Sequence, residues 1–208
     1  MLKFRFLHYN FKHIFNFTQT NYFNMGSLFA KFILRIVNWK IVGWNLNELD
    51  KYVIIEIPHT SNWDFPLGIL LRAAQKAPHV YFVGKKSLFK WPFGYIFKAL
   101  GGYPVDRKKS QNFVDSITEL YQKEDRFAIC LAPEGTRSKA EKLKTGFYYL
   151  AIKAKVPIVM VSFDYSRKQI AVAEPFEPSG DYEKDIPIMK NFFSDKVGKR
   201  PEDGFTFQ

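Results

Sequence analysis

From Tyr52 onward the chain alternates short, β-rich apolar runs with segments of helical period, and that alternation admits few folds. The apolar runs are Tyr52–Ile57, Val80–Val83, Tyr103–Val105, Phe127–Ala132, Val156–Phe163 and Gln169–Ala173. Between them, Phe65–Gln75, Phe113–Gln122 and Phe147–Ala154 place apolar residues three and four apart, as one face of a helix requires. Leu88–Leu100 reads as a helix broken at Pro92 and Gly94, and Asp181–Lys196 as a last helix disturbed by Pro187. Strands covered on both faces read as unbroken apolar runs, and helices between them are the crossovers that parallel strands need. The expectation is therefore a single-domain α/β sandwich with a mostly parallel central sheet. No internal repeat or low-complexity linker divides it, and 208 residues suit one domain.

The residues before this region read differently. Residues 1–24 are rich in Phe and Asn, contain no acid, and are expected to form an arm. Within 25–46, the stretch Ser27–Trp44 has helical spacing: Lys31, Arg35 and Asn38 make one narrow polar stripe and apolar residues cover the rest. Such an amphipathic helix could lie in a membrane interface, or pack on the domain with one wet edge. Charge favours the interface. The chain has 31 Lys plus Arg against 20 Asp plus Glu, and six basic residues, Lys3 to Lys40, precede the first acid, Glu48. An excess of this size calls for an anionic partner. No run of about 18 uncharged apolar residues exists, and no secretory pattern opens the sequence. The expected location is cytoplasmic, bound peripherally to the membrane, with 47–208 as the catalytic domain.

Three polar loops follow probable strands, where open α/β sheets place their sites. The first is His59-Thr60-Ser61-Asn62-Trp63-Asp64. Ser61 or Asn62 could cap the next helix and put Asp64 in its first turn. The loop can then bring Asp64 to one imidazole nitrogen of His59 and leave the other as a general base for a substrate hydroxyl. The same pair could instead only stabilise the loop. The second comprises Lys85 and Lys86 with Gly101 through Asp106 and Arg107, and the third is Pro133-Glu134-Gly135-Thr136-Arg137-Ser138. Arg107, Thr136 and Arg137 are suited to phosphate oxygens, and Gly135 to close backbone approach. No metal site is expected: His8, His13 and His79 lack ligand spacing with His59, and Cys130 is the only cysteine. A nucleophile-elbow serine, Walker A and dinucleotide-binding patterns are absent. RNA-recognition patterns are absent too, so the charge does not point to nucleic acid.

Taken in order, H-x4-D at His59–Asp64, Lys85-Lys86-Ser87-Leu88 through Pro92, Gly94 and Gly101 to Arg107, the Pro133–Ser138 block, and Val156-Pro157-Ile158-Val159 resemble the four motif blocks of glycerolipid acyltransferases. The likeness runs from about Tyr52 to about Ser162 and is closest to the 1-acyl-glycerol-3-phosphate acyltransferase-like group. It implies acyl transfer from acyl-CoA or acyl carrier protein to the free hydroxyl of a lysophospholipid, most simply 1-acylglycerol-3-phosphate, at a membrane surface. It implies His59 and Asp64 as the catalytic pair. It implies Lys85, Lys86, Arg107, Glu134, Gly135, Thr136 and Arg137 as acceptor-binding positions, with no cofactor. Ser87 stands where this family often has Glu, Ala132 where it has Phe, and Met160 where it has Pro. Those departures leave room for another lyso-lipid acceptor, and hydrolysis of the thioester is the nearest different reaction.

Overall fold

A computed structural model describes residues 25–92, 94–105 and 110–207. The arm expected over 1–24, and Arg107, lie outside the described residues. Helix α1 spans 25–36 and is followed by strand β1 (Lys40–Gly43). The order then runs β2 (Lys51–Glu56), α2 (Asp64–Ala74), β3 (Val80–Lys85), α3 (Gly94–Ala99), β4 (Gly102–Val105), α4 (Ser110–Lys123) and β5 (Phe127–Leu131). It closes with α5 (Gly146–Ala154), β6 (Ile158–Asp164), β7 (Gln169–Val172) and α6 (Tyr182–Phe193). The described strands form one sheet in the order β1-β7-β6-β2-β5-β3-β4. Strands β4, β3, β5, β2 and β6 run parallel, β7 is antiparallel to β6, and β1 pairs parallel with β7. The α/β reading with a mostly parallel sheet is what the chain adopts.

Strand β2 lies in the middle and shows why its residues read as an unbroken apolar run. Tyr52 and Ile54 point to one side of the sheet and join Ala30 and Leu34 of α1 and Leu67 and Leu71 of α2. Val53 and Ile55 point to the other side and join Ile117 of α4, Leu150 of α5 and Met189 of α6. Each such side chain, fully withdrawn from water, contributes about 1.5–3 kcal/mol. Helix α3 completes the first layer beside α2: Phe97 meets Phe65 at 5.8 Å between ring centroids, and Arg72 Nη1 donates to the Leu100 carbonyl at 2.7 Å.

Two expected elements change. The helix expected over Ser27–Trp44 stops at residue 36, where the Asn38 and Trp39 amides bond back to Arg35 and Leu34 and Asn38 turns left-handed at φ 59°. Residues 40–43 are an edge strand, so the segment before residue 47 is shared between a helix and the sheet. The β-branched Ile41 and Val42 favour the strand once β7 offers an edge. The strand expected from Val156 starts at Ile158, because Pro157 has no N–H to donate and instead accepts from Val53. Helix α1 buries only Ser27, Ala30 and Leu34, at i, i+3 and i+7, and Ser27 Oγ donates to the Ala74 carbonyl at 2.8 Å. Its Leu28, Phe29, Phe32 and Ile36 stay exposed, so it both packs on the core and presents an apolar face outward. Among the described residues no helix is long and apolar enough to cross a membrane.

Candidate active site

The parallel run of β2, β5, β3 and β4 puts the loops that follow them on one edge of the sheet. Strand β2 ends in Glu56, and the chain passes through Ile57 and Pro58 to His59 before α2 begins at Asp64. His59 Nδ1 lies 3.2 Å from Asp64 Oδ2 and 3.0 Å from Glu56 Oε1. Asp64 is 1% exposed. Its Oδ2 also accepts the Ser61 N–H at 2.9 Å, and its Oδ1 accepts the Tyr165 hydroxyl at 2.8 Å. The expected cap by Ser61 or Asn62 is absent. Ser61 Oγ accepts the Trp63 N–H instead, and the cap position falls on Trp63, whose side chain offers no acceptor.

Both carboxylates therefore meet the same imidazole nitrogen, and Nε2 is left with no hydrogen bond among the described residues. Burial works against charge on His59, but the Glu56 carboxylate, then Asp64, outweigh it and hold the imidazole up at about 10. Glu56 is itself pushed up by burial. The imidazole and Glu56 thus compete for one proton, and Nε2 offers a lone pair in the forms where it does not carry that proton. The ligand atoms of Glu56, His59 and Asp64 lie within 4.8 Å of one another, a spacing open to a cation. Nδ1, hydrogen-bonded to Glu56 and 3.2 Å from Asp64, itself sits where the two carboxylates converge.

The loop after β5 supports His59 from below. Glu134 is 3% exposed, and its Oε2 accepts the His59 N–H at 3.1 Å while Oε1 has no hydrogen-bond partner among the described residues. Burial pushes its carboxyl up to about 7. Glu134 thus braces the loop rather than presenting itself at the surface. Gly135 sits at φ +66°, and the Lys144 side chain lies so close that a Cβ there would be 2.5 Å from Nζ. Thr136 and Arg137 are exposed, with Thr136 Oγ1 accepting the Ser138 N–H. Arg137 is near enough for its charge to favour ionised Glu56. Lys85 and Lys86, also exposed, close β3 on the same edge, two strands from His59.

Sequence reasoning missed three participants. Glu56 left a signal: it is the one charged residue inside the apolar run Tyr52–Ile57. Tyr165, 101 residues from Asp64, left none. Nor did Arg200, whose Nε and Nη2 both donate to the Thr60 carbonyl, at 2.9 and 2.7 Å, while its N–H donates to Thr60 Oγ1. Beside it a Cβ on Gly198 would fall 2.6 Å from Thr60 Oγ1, so residues 198–200 lie directly on the loop, and Lys199 Nζ stands 4.8 Å from the Trp63 ring.

Residues 40–164 match the family model described as Acyltransferase. Among curated relatives, a 1-acyl-sn-glycerol-3-phosphate acyltransferase of Haemophilus influenzae is 27% identical over 160 residues, covering 68% of this chain and 65% of that protein. One of Escherichia coli is 36% identical over 99 residues, 45% of this chain and 40% of that protein. The human protein named 1-acyl-sn-glycerol-3-phosphate acyltransferase beta is 28% identical over 124 residues, 50% and 45% of the two chains. The chain spans between two-fifths and just under two-thirds of these relatives' length. In fold it is similar to the crystal structure of the 1-acyl-sn-glycerophosphate acyltransferase PlsC from Thermotoga maritima, with a TM-score of 0.53, 18% identity, and coverage of 82% and 75% of the two chains.

Proposed function

Because the chain belongs to the acyltransferase family, whose model covers residues 40–164, we propose that it transfers a fatty acyl group from a thioester to the hydroxyl of a lysophospholipid, 1-acylglycerol-3-phosphate first among them. The observation that carries this reading is a half-buried His59 whose Nδ1 is held by buried carboxylates while Nε2 is free at the sheet edge. Nε2 takes the acceptor hydroxyl proton as the oxygen attacks the thioester carbonyl. The C–S bond then breaks, the ester forms, and the thiolate of coenzyme A or of an acyl carrier protein takes the proton back from the imidazolium. Every atom in that sequence comes from the two substrates and His59, so the reading calls for no cofactor. Arg137, Lys85 and Lys86, with Arg107, supply cations for the acceptor phosphate, and Arg forks match its oxygens in pairs. The names of the relatives support this acceptor. The exposed apolar face of α1, flanked by Lys31 and Arg35, supports work at a membrane surface.

The deciding assay supplies acyl-CoA or acyl carrier protein thioester with and without lysophosphatidate and measures free thiol and phosphatidic acid. Thiol release that requires the acceptor and matches product supports the reading. Thiol release at the same rate without acceptor identifies a thioester hydrolase instead.

A further inference from the structure

The stretch from the end of β3 through α3 is apolar on both sides. Phe89 and Phe97 turn inward: Phe89 fills the space left by Gly84 and Gly102, and Phe97 packs on Phe65. Between them Trp91, Tyr95 and Ile96 turn outward, 84%, 74% and 56% exposed. The sheet already has its cover, so core packing does not explain this second apolar surface. Its charge is one-sided. Lys90 and Lys98 flank it, exposed, and line a recess of about 660 Å³ beside it. No Asp or Glu occurs anywhere from residue 65 to residue 105.

We infer that this surface docks on an anionic lipid bilayer. Trp and Tyr rings settle at the level of the headgroups, with the apolar body inward and the polar edge wet. Lysines beside them lay their stems on the acyl boundary and raise their ammonium groups to the phosphates. The patch follows the carboxyl end of β3, on the same sheet edge as His59, so docking there holds the candidate active-site edge at the lipid surface. It is separate from α1, which lies across α2 from it and presents its own apolar residues. The inference deepens the acyl-transfer reading by naming where the protein meets its lipid acceptor, and in that sense rests on it.

The test uses the full chain and two variants, Trp91→Ser with Tyr95→Ser and Ile96→Ser, and Lys90→Gln with Lys98→Gln. Thermal melting is measured first, and all five side chains are exposed, so the midpoints should match the unaltered protein. Co-sedimentation is then compared on phosphatidylcholine vesicles with and without phosphatidylglycerol. The lysine variant should bind anionic vesicles about 25-fold more weakly, two cations each contributing about fivefold, and high salt should erase the difference. The aromatic variant should bind both vesicle types more weakly. Transfer to vesicle-embedded lysolipid should fall in both, with transfer to a short-chain, water-soluble lysolipid unchanged. Vesicle binding within twofold of the unaltered protein in both variants overturns the proposal. So does weakened capture of an acidic acyl carrier protein with vesicle binding intact, which would make the surface a protein dock. Vesicle binding that responds as expected in a protein with no transferase activity upholds the docking surface and removes the proposed reaction.

Discussion

At the scale of single residues the site is a histidine between two buried acids, and their roles separate by substitution. His59→Ala should lower turnover by about 10²–10⁴, since the positioned base is lost, and should also lower the melting temperature below pH 6.5, where the carboxylates of Glu56 and Asp64 stabilise the protonated ring. Steady-state rates with circular dichroism melts check both. Asp64→Asn should be nearly as severe, because an amide offers Nδ1–H a weaker partner and can present its NH₂ instead. Glu56→Gln is the more informative change. The Glu56 carboxylate is the foremost influence holding His59 up at about 10 against burial. Without it the imidazole loses its proton at lower pH, so the acidic limb of the rate–pH profile should move to lower pH. A limb that stays in place would show that Glu56 does not share the proton.

At the scale of elements, the His59–Asp64 loop is held by three pieces of chain distant in sequence: the loop after β5 through Glu134, the start of the β6–β7 turn through Tyr165, and the strap from Gly198 to Gly204 through Arg200. The strap lies beyond residues 40–164, outside the stretch matched by the family model. Arg200 donates twice to the carbonyl one residue after His59, and Asp203 at 3.1 Å orients it. Arg200→Ala should lower kcat by roughly tenfold to a hundredfold while moving the acceptor KM little, since a displacement near 1 Å at the reacting group is worth about that much. Arg200→Lys, which keeps the charge but not the fork, should recover only part. If kcat is unchanged and only the melting temperature falls, the strap is structural alone. Helix α1 invites a different test. Lys31→Glu with Arg35→Glu reverses two exposed cations beside its apolar face and should weaken anionic-vesicle binding at low salt more than at high salt.

At the scale of the whole molecule, the buried ionisable groups of the site set how stability varies with pH. Glu134 is raised from 4.5 to about 7 by burial, so the fold prefers it neutral. Its contribution is complete below 4.5 and is lost as the pH rises through 7, an amount of about 3 kcal/mol. His59, raised from 6.5 to about 10, contributes fully below 6.5 and loses that contribution as the pH rises through 10. Both act in the same direction, so the melting temperature should decline from pH 5 to pH 10. In Glu134→Gln, whose amide oxygen can still accept the His59 N–H, the decline between pH 4.5 and 7 should flatten. A wild-type and variant pair with parallel curves over that window would count against a buried, neutral-preferring Glu134.

The sequence by itself determined the α/β class, the mostly parallel sheet and the loop in which His59 meets Asp64. These depend on short-range patterns: apolar runs of strand length, helical spacing between them, and H-x4-D within one loop. His59 and Asp64 meet because four residues are enough to turn the chain back on itself. What only the tertiary structure decided depends on partners far along the chain. Residues 40–43 became a strand because β7 arrives beside them, and a local helical pattern cannot foresee an edge offered by residues 169–172. Glu56 read as part of a strand until its buried carboxylate proved to share Nδ1 with Asp64. The Glu134 oxygen is carried to a backbone amide 75 residues earlier, a support its loop motif does not announce, and Arg200 reaches Thr60 across 140. A hydrogen bond is satisfied by proximity in space, and no local spacing records which distant donor will arrive.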